Sequence, residues 1–306
     1  VLPKRGIVAA PDEILITLGS QNALYLLTRL LLSSTTRIGV ENPCFREAIN
    51  TFLLADAEVV PHPVDEEGIV LNERPCDYYY VTPGHQVPTG VTMSSARRRQ
   101  LLEHAARHDA VIIEDDYDSE SNFTLNPLPA LKASDRSGRV VYVSSLSKAL
   151  SPGLRLGFMV ADPDLIDEAR ALRRLVYRHP PTNIQYQMAH FLAQGHYETH
   201  LRRYHYDSAQ RWERLHAALQ RYLPSCRALA GSEHANAFWL QTPAQINTQQ
   251  LTWRAAHAGV LIEPGARHFL SAAPPDNYFR MGFHAINPDA IAQGVEVLRG
   301  QLEQMG

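Results

Sequence analysis

Short apolar strand candidates alternate with amphipathic helix patterns through the first half of the chain, and this alternation restricts the fold more than any other feature. Residues 21–32 carry apolar side chains at helical spacing behind Thr17-Leu-Gly-Ser20, a turn of N-cap residue types. Strands are expected at 37–41, near 58–61, at 77–82 where three tyrosines favour extended chain, and at 110–114, 139–144 and 157–161. Helices are expected at 94–108 and 163–176. The stretch 83–90, with breakers at both ends, is a loop. Strands separated by helices pair in parallel and bury both faces, so the expected class is α/β with a mostly parallel sheet. From 182 to 222 the pattern is helical and polar-rich, long enough to need a break or to span two packing environments. After Pro224 it changes, with strands expected at 237–241 and 278–283 and helices at 248–258 and 289–303. A large domain over 1–205 and a smaller C-terminal α+β domain over 206–306 follow from this change.

Several function classes fall away on composition. No run approaches ~18 uninterrupted apolar residues, so no membrane-spanning helix is expected, and residues 1–6 lack the basic-then-apolar form of a secretory signal. A net charge of −3 gives no electrostatic footprint for nucleic acid. Cys44, Cys76 and Cys226 are odd in number, far apart and without a CxxC pair or a neighbouring His cluster; they read as reduced thiols of a cytoplasmic protein rather than a zinc site. The basic triplet Arg97-Arg98-Arg99 lies on an expected helix and reads as its solvated face. Only three of the 29 basic residues are lysines, Lys4, Lys132 and Lys148.

Lys148 is the unusual one, because it follows a hydrophobic strand directly, among small hydroxyl residues. A lysine in a dry pocket shifts toward its neutral, nucleophilic form. Ser145, Ser147 and Arg155 around it are the residue types that hold a phosphate. Glu114-Asp115-Asp116-Tyr117 ends a strand, the edge that faces the ligand crevice in a doubly wound sheet. An aspartate there suits a protonated pyridine nitrogen and a tyrosine a phenolate oxygen. Gly19-Ser20-Gln21 opens a helix and is an anion site by geometry and dipole. Arg280, on an expected strand of the small domain, suits a carboxylate. Taken singly, each has an ordinary structural reading: a strand-end lysine, an acidic turn, a plain helix start, an internal ion pair.

Their order decides. With an aromatic residue after Asn42-Pro43 and the loop Thr82-Pro-Gly-His-Gln-Val-Pro-Thr-Gly90, the chain resembles fold-type-I enzymes that use pyridoxal 5′-phosphate (PLP), the aspartate aminotransferase superfamily. The motifs Ile112-Ile-Glu-Asp-Asp-Tyr-Asp-Ser-Glu120 and Ser145-Leu-Ser-Lys-Ala-Leu-Ser-Pro-Gly-Leu-Arg155 are more closely similar to the aminotransferase-like domain of MocR-type bacterial transcription regulators of the GntR superfamily. The resemblance runs from about Pro11 to the end. It implies that Lys148 forms an aldimine with PLP, that Asp115 faces the ring nitrogen and that Tyr117 bonds the ring oxygen. Ser20, Gln21, Ser145, Ser147 and Arg155 would surround the phosphate, Phe45 would stack on the ring, and Arg280 would take the carboxylate of an amino-acid-like effector, itself held as an external aldimine.

Three residues in two segments depart from the enzymes. Cys44-Phe45 stands where the family usually has Gly-Tyr, and Val87 stands where aminotransferases with an Asn-Pro-Thr-Gly loop have the asparagine that donates to the ring oxygen. These departures favour an effector-binding domain over an aminotransferase, which is the alternative reading; a PLP-dependent lyase comes third. The resemblance further implies a homodimer, and DNA contact only through a winged helix-turn-helix reader that the chain does not include. Residues 1–10 would then be the remnant of a longer N-terminal part. The identity of the effector is left open.

Overall fold

In the computed structural model, in which residues 1–121, 128–228 and 237–305 are described, eight strands form one mixed sheet. They are β1 (Ile14–Thr17), β2 (Arg37–Asn42), β3 (Glu58–Asp65), β4 (Gly68–Ile69), β5 (Tyr78–Val81), β6 (Val111–Asp116), β7 (Val140–Ser145) and β8 (Gly157–Val160), in the spatial order β1-β8-β7-β6-β5-β2-β3-β4. The four pairings from β3 through β2, β5 and β6 to β7 are parallel, whereas β8 runs antiparallel to both β7 and β1. A second sheet, wholly antiparallel, contains β9 (Arg227–Ala228), β10 (Ala237–Gln241), β11 (Glu263–Pro264) and β12 (Tyr278–Gly282) in the order β11-β12-β10-β9.

Among the described residues, eight α-helices connect and cover these sheets: α1 (Ser20–Leu31), α2 (Arg46–Leu53), α3 (Ser95–His108), α4 (Pro163–Val176), α5 (Thr182–Ala193), α6 (His196–Tyr222), α7 (Thr248–His257) and α8 (Ile291–Glu303). Strand alternation sorts the helices between faces. On one face Val40, Ile113 and Val143 pack with Leu24 and Leu27 of α1, Phe52 of α2 and Ile166 of α4. On the other, Ile112 and Val140 meet Leu101 and Ala105 of α3, while Tyr142 and Phe158 meet Met188 of α5 and Tyr197 of α6. Each fully buried leucine contributes about 1.5–3 kcal/mol.

The long polar-rich stretch both breaks and spans two environments. It breaks at Gly195, whose φ of 73° ends α5. The continuous α6 then puts Leu201 against the large sheet and Leu215 and Leu219 against Phe238 and Phe279 of the small one. Residues 163–176 form a helix as expected, because Asp162 caps its first turn and Pro163 stands where its missing N–H costs nothing.

Two expectations need correcting. Strand β6 runs two residues beyond 114 and takes Asp115 and Asp116 into the sheet, paired in register with Val143 and Ser144. The arginine triplet is not one solvated face. Arg98 is buried and donates to the carbonyls of Met93, Pro83 and Pro129 at 2.8–3.0 Å, fastening the 83–90 loop to α3.

Parallel running brings the C-terminal ends of β5, β6 and β7 to one edge. The antiparallel β8 begins at that edge, where Gly157 is opposite both Ser145 and Thr17, and β1 ends there. The fit is tight: a Cβ on Gly157 would lie 2.6 Å from the Gly19 carbonyl carbon and 2.7 Å from the Ser144 oxygen. Backbone, not a movable side chain, fills that space. Gly157→Ala is therefore expected to cost about 1–3 kcal/mol, read as a lower urea midpoint; an unchanged midpoint would contradict this packing.

Candidate active site

Above that edge lies a cavity of about 570 Å³. It is bounded on one side by large-sheet elements and on the other by β11, β12 and the turn after β11. The residues to which the resemblance gives a role line it: Ser20, Gln21 and Phe45 at the starts of the first helices, Asp115 and Tyr117 from β6 and beyond, Ser145, Ser147, Lys148 and Arg155 from the end of β7 onward, and Arg280 from β12.

The anion end is built from a helix start and a strained loop. Gly19 is the N-cap of α1 with φ 82°, and no side chain caps the helix, so its first-turn N–H groups are left to a ligand. A Cβ there would meet Arg155 Nη2 at 2.8 Å. Arg155 holds the left-handed φ of 47°, a conformation costly for a non-glycine residue, and its Nη2 donates to the Leu18 carbonyl at 3.0 Å. The Ser145 hydroxyl accepts from the Ser147 N–H and the Ser147 hydroxyl from the Leu156 N–H, both at 3.3 Å, which leaves both hydroxyl hydrogens free to donate. Gln21 turns its amide toward Thr51 on α2, at 2.8 Å.

Strand alternation separates the two aspartates. Asp116 faces Arg5 at 2.7 Å and accepts from Tyr142 at 2.7 Å, so its charge is spent inside the fold. Arg5, in the segment expected to be a remnant, is thus buried and integral to the large sheet. Asp115 faces the cavity. Its Oδ2 accepts from Tyr80 at 2.8 Å, while its buried Oδ1 has no hydrogen-bond partner. Burial pushes this carboxyl up to about 7, against the opposing pull of the Tyr80 hydroxyl. The unfolded chain ionises such a group near pH ~4, so its contribution to stability is full below that pH and is lost as pH rises through about 7. In cofactor-free protein, Asp115→Asn should therefore gain in melting temperature relative to the parent as pH rises over this interval. A constant difference would contradict the raised carboxyl.

Lys148 Nζ lies 3.7 Å from Asp118 Oδ1 and 4.3 Å from the centre of the Tyr117 ring. Burial pushes its amine down from the ordinary lysine range; Asp118 pulls the other way. The Tyr117 hydroxyl donates to the His85 carbonyl at 3.1 Å. Arg280 pairs with Glu263 at 3.3 Å, and Glu263 also meets Arg267 at 3.3 Å and His268 at 3.5 Å. The His268 contact, more than any other, holds the Glu263 carboxyl down at about 2. The internal ion pair that was the ordinary reading of Arg280 is thus present, with Glu263 as its partner.

Sequence reasoning missed Tyr80, Asp118 and Glu263. Tyr80 and Asp118 stand in segments noted for other reasons; alternation along β5 was the available signal for Tyr80, whereas Asp118 lies beyond the end of β6, where alternation no longer applies. Glu263 carried none, since only the fold brings it beside Arg280.

These residues fit PLP: the unpartnered Asp115 Oδ1 suits a ring N–H, the α1 start with two serines and Arg155 suits a phosphate, and Lys148 lies between. The three cysteines are unpaired, Cys44 and Cys76 buried. Among the described residues no helix is long and apolar enough to cross a membrane.

A family model described as aminotransferase class I and II matches residues 4–298. The HTH-type transcriptional regulator TauR of Rhodobacter capsulatus is 39% identical over 96% of this chain and 61% of its own length. The probable rhizopine catabolism regulatory protein MocR of Rhizobium meliloti is 34% identical over 96% of this chain and 60% of its own. The chain thus spans about 60% of the length of these curated relatives. Among solved structures, LysN, the α-aminoadipate aminotransferase of Thermus thermophilus complexed with N-(5′-phosphopyridoxyl)-L-leucine, superposes with a TM-score of 0.91 at 28% identity, covering 100% of this chain and 82% of that one. The fold is that of the fold-type-I aminotransferases, and the chain is similar to the aminotransferase-like part of MocR-type regulators. It belongs to the aminotransferase class I and II family, a family of PLP-dependent proteins.

Proposed function

We propose that this chain is the effector-binding domain of a bacterial transcription regulator, holding PLP at Lys148 and an amino-acid-like effector between Lys148 and Arg280. The observation that carries the reading is the buried, unpartnered Asp115 oxygen in the same cavity as Lys148 and the α1 anion site. PLP, when bound, supplies an aldehyde carbon that exchanges one amine for another. The residues do the rest. Asp115 stabilises a protonated ring nitrogen, Ser20, Gln21, Ser145, Ser147 and Arg155 fix the phosphate, Phe45 covers the ring, and Tyr117 turns its hydroxyl to the ring oxygen.

Arg280 stands on the small sheet and Lys148 on the large one, so a ligand engaging both ties the two together. An effector carboxylate displaces Glu263 from Arg280, and Glu263 keeps Arg267 and His268 as partners. The boundary between the two units falls inside α6, near residue 206, where its buried side chains change sheets. Closure across it is a hinge motion that a DNA-reading module outside this chain can sense. The working form is a homodimer in the cytoplasm, where its DNA is.

Similarity to regulators, together with the hydrocarbon side chains of Phe45 and Val87 in the cavity wall, favours sensing over turnover. Aminotransferase activity is the second reading, favoured by Lys148 itself and by the likeness to LysN. Absorbance titration of PLP-loaded protein against a panel of amino acids tests the proposal. A saturable band shift for one class of amine, with no keto acid released, is expected; no shift with any amine would overturn it.

A further inference from the structure

Behind Lys148 stands a histidine–carboxylate pair that cofactor binding does not use. Asp118 follows β6 by two residues, and His85 belongs to the loop after β5; they are 4% and 5% exposed. His85 Nδ1 and Asp118 Oδ2 are 3.0 Å apart, and the other Asp118 oxygen faces Lys148 Nζ at 3.7 Å. The pair spans 33 residues of sequence and joins the loop after β5 to the segment after β6. The remaining groups around the amine are Asp115, the Tyr117 ring, Arg280, and His284 just after β12. Burial holds His284 down at about 4, so it adds no cation at neutral pH. Asp118 is the carboxylate placed nearest the amine.

We propose that Asp118, held in position by His85, is the resting partner of the Lys148 amine whenever that amine is not bonded to the cofactor, and that it keeps the amine an ammonium. The inference rests on Lys148 being the cofactor lysine. When an incoming amine replaces Lys148 at the cofactor's aldehyde carbon, the C–N bond to Nζ breaks as the new C–N bond forms. The two protons lost by the incoming ammonium pass to Nζ. An ammonium has no lone pair and takes no proton from the effector. The Asp118 contact therefore stabilises a bound effector against conversion and gives the domain a structural means of sensing without consuming. Asp118 is a positioning residue here, since it acts through Lys148.

The test reads the amine directly. With only three lysines in the chain, competitive acetylation of cofactor-free protein across pH, followed by peptide mass spectrometry, reports Lys148 separately, with Lys4 and Lys132 as internal references. Asp118→Asn should lower the pH of half-reaction of Lys148 by about one unit or more and leave the other two unmoved, and Asp118→Glu should restore much of the shift. In PLP-loaded protein the Asn variant should form pyridoxamine phosphate from a bound amine about tenfold faster or more near neutral pH. An unmoved or raised Lys148 profile in folded Asp118→Asn overturns the proposal. So does a parent protein whose Lys148 is already mostly unprotonated at neutral pH, whatever the variants do. Acetylation needs no PLP, so failure here is distinct from failure of the cofactor reading.

Discussion

Replacing Lys148 with alanine is expected to leave a folded protein that retains no borohydride-trappable PLP, a drop from stoichiometric to background labelling. Neither of the other lysines can substitute. Lys4 is exposed and engaged by Glu198, Lys132 lies beside Asp135 at 3.8 Å, and neither lines the cavity. The fold should tolerate the change, because burial already weakens the charged form of the amine and its contacts are to Asp118 and the Tyr117 face rather than to the core. Mass spectrometry after reduction checks the adduct, and circular dichroism checks the fold. An undiminished adduct in the variant would move the cofactor to another lysine and end the site assignment.

The second large effect separates the adjacent aspartates. Asp115→Asn should weaken PLP binding by about ten- to a hundredfold, the loss of a charge-assisted bond worth about 1.5–3 kcal/mol, while the cofactor-free protein stays as stable or gains. Asp116→Asn should do the reverse. It breaks the buried pair with Arg5, for which a loss of about 3–5 kcal/mol is usual, with little direct effect on the bound spectrum. Fluorescence titration with PLP and urea unfolding read the two effects independently. A larger loss of PLP affinity in folded Asp116→Asn than in Asp115→Asn would place the ring on the opposite face of β6.

The contrast between these two residues also shows what local pattern reveals. Elements whose ends are set by nearby residues were legible: α4 between Asp162 and Val176, and α3 behind Ser94. Helix α2 was not, since it is eight residues long and its N-cap, Phe45, supplies no side-chain cap. Nor were β4, β9 and β11, two-residue strands defined by what they pair with rather than by a pattern of their own. Arg98 reads as surface in a run of three arginines, and only the carbonyls of two distant loops give its guanidinium a reason to be buried. In the site, the residues carried by motifs come together around one cavity, because their strand ends share one edge. Their neighbours did not announce themselves. Arg5 neutralises Asp116 from 111 residues away and His85 meets Asp118 from 33, separations that no local pattern encodes.

The most direct measurement of sensing against catalysis mixes the PLP-loaded protein with its best-binding amine and a keto-acid acceptor, and follows pyridoxamine phosphate and the product amino acid for hours. The arrangement of Lys148, Asp118, Phe45 and Val87 predicts a band shift that holds steady, with product formation limited to no more than about one equivalent of protein. Sustained multiple turnovers at rates typical of enzymes, above ~1 per second, would contradict it and make this chain an aminotransferase.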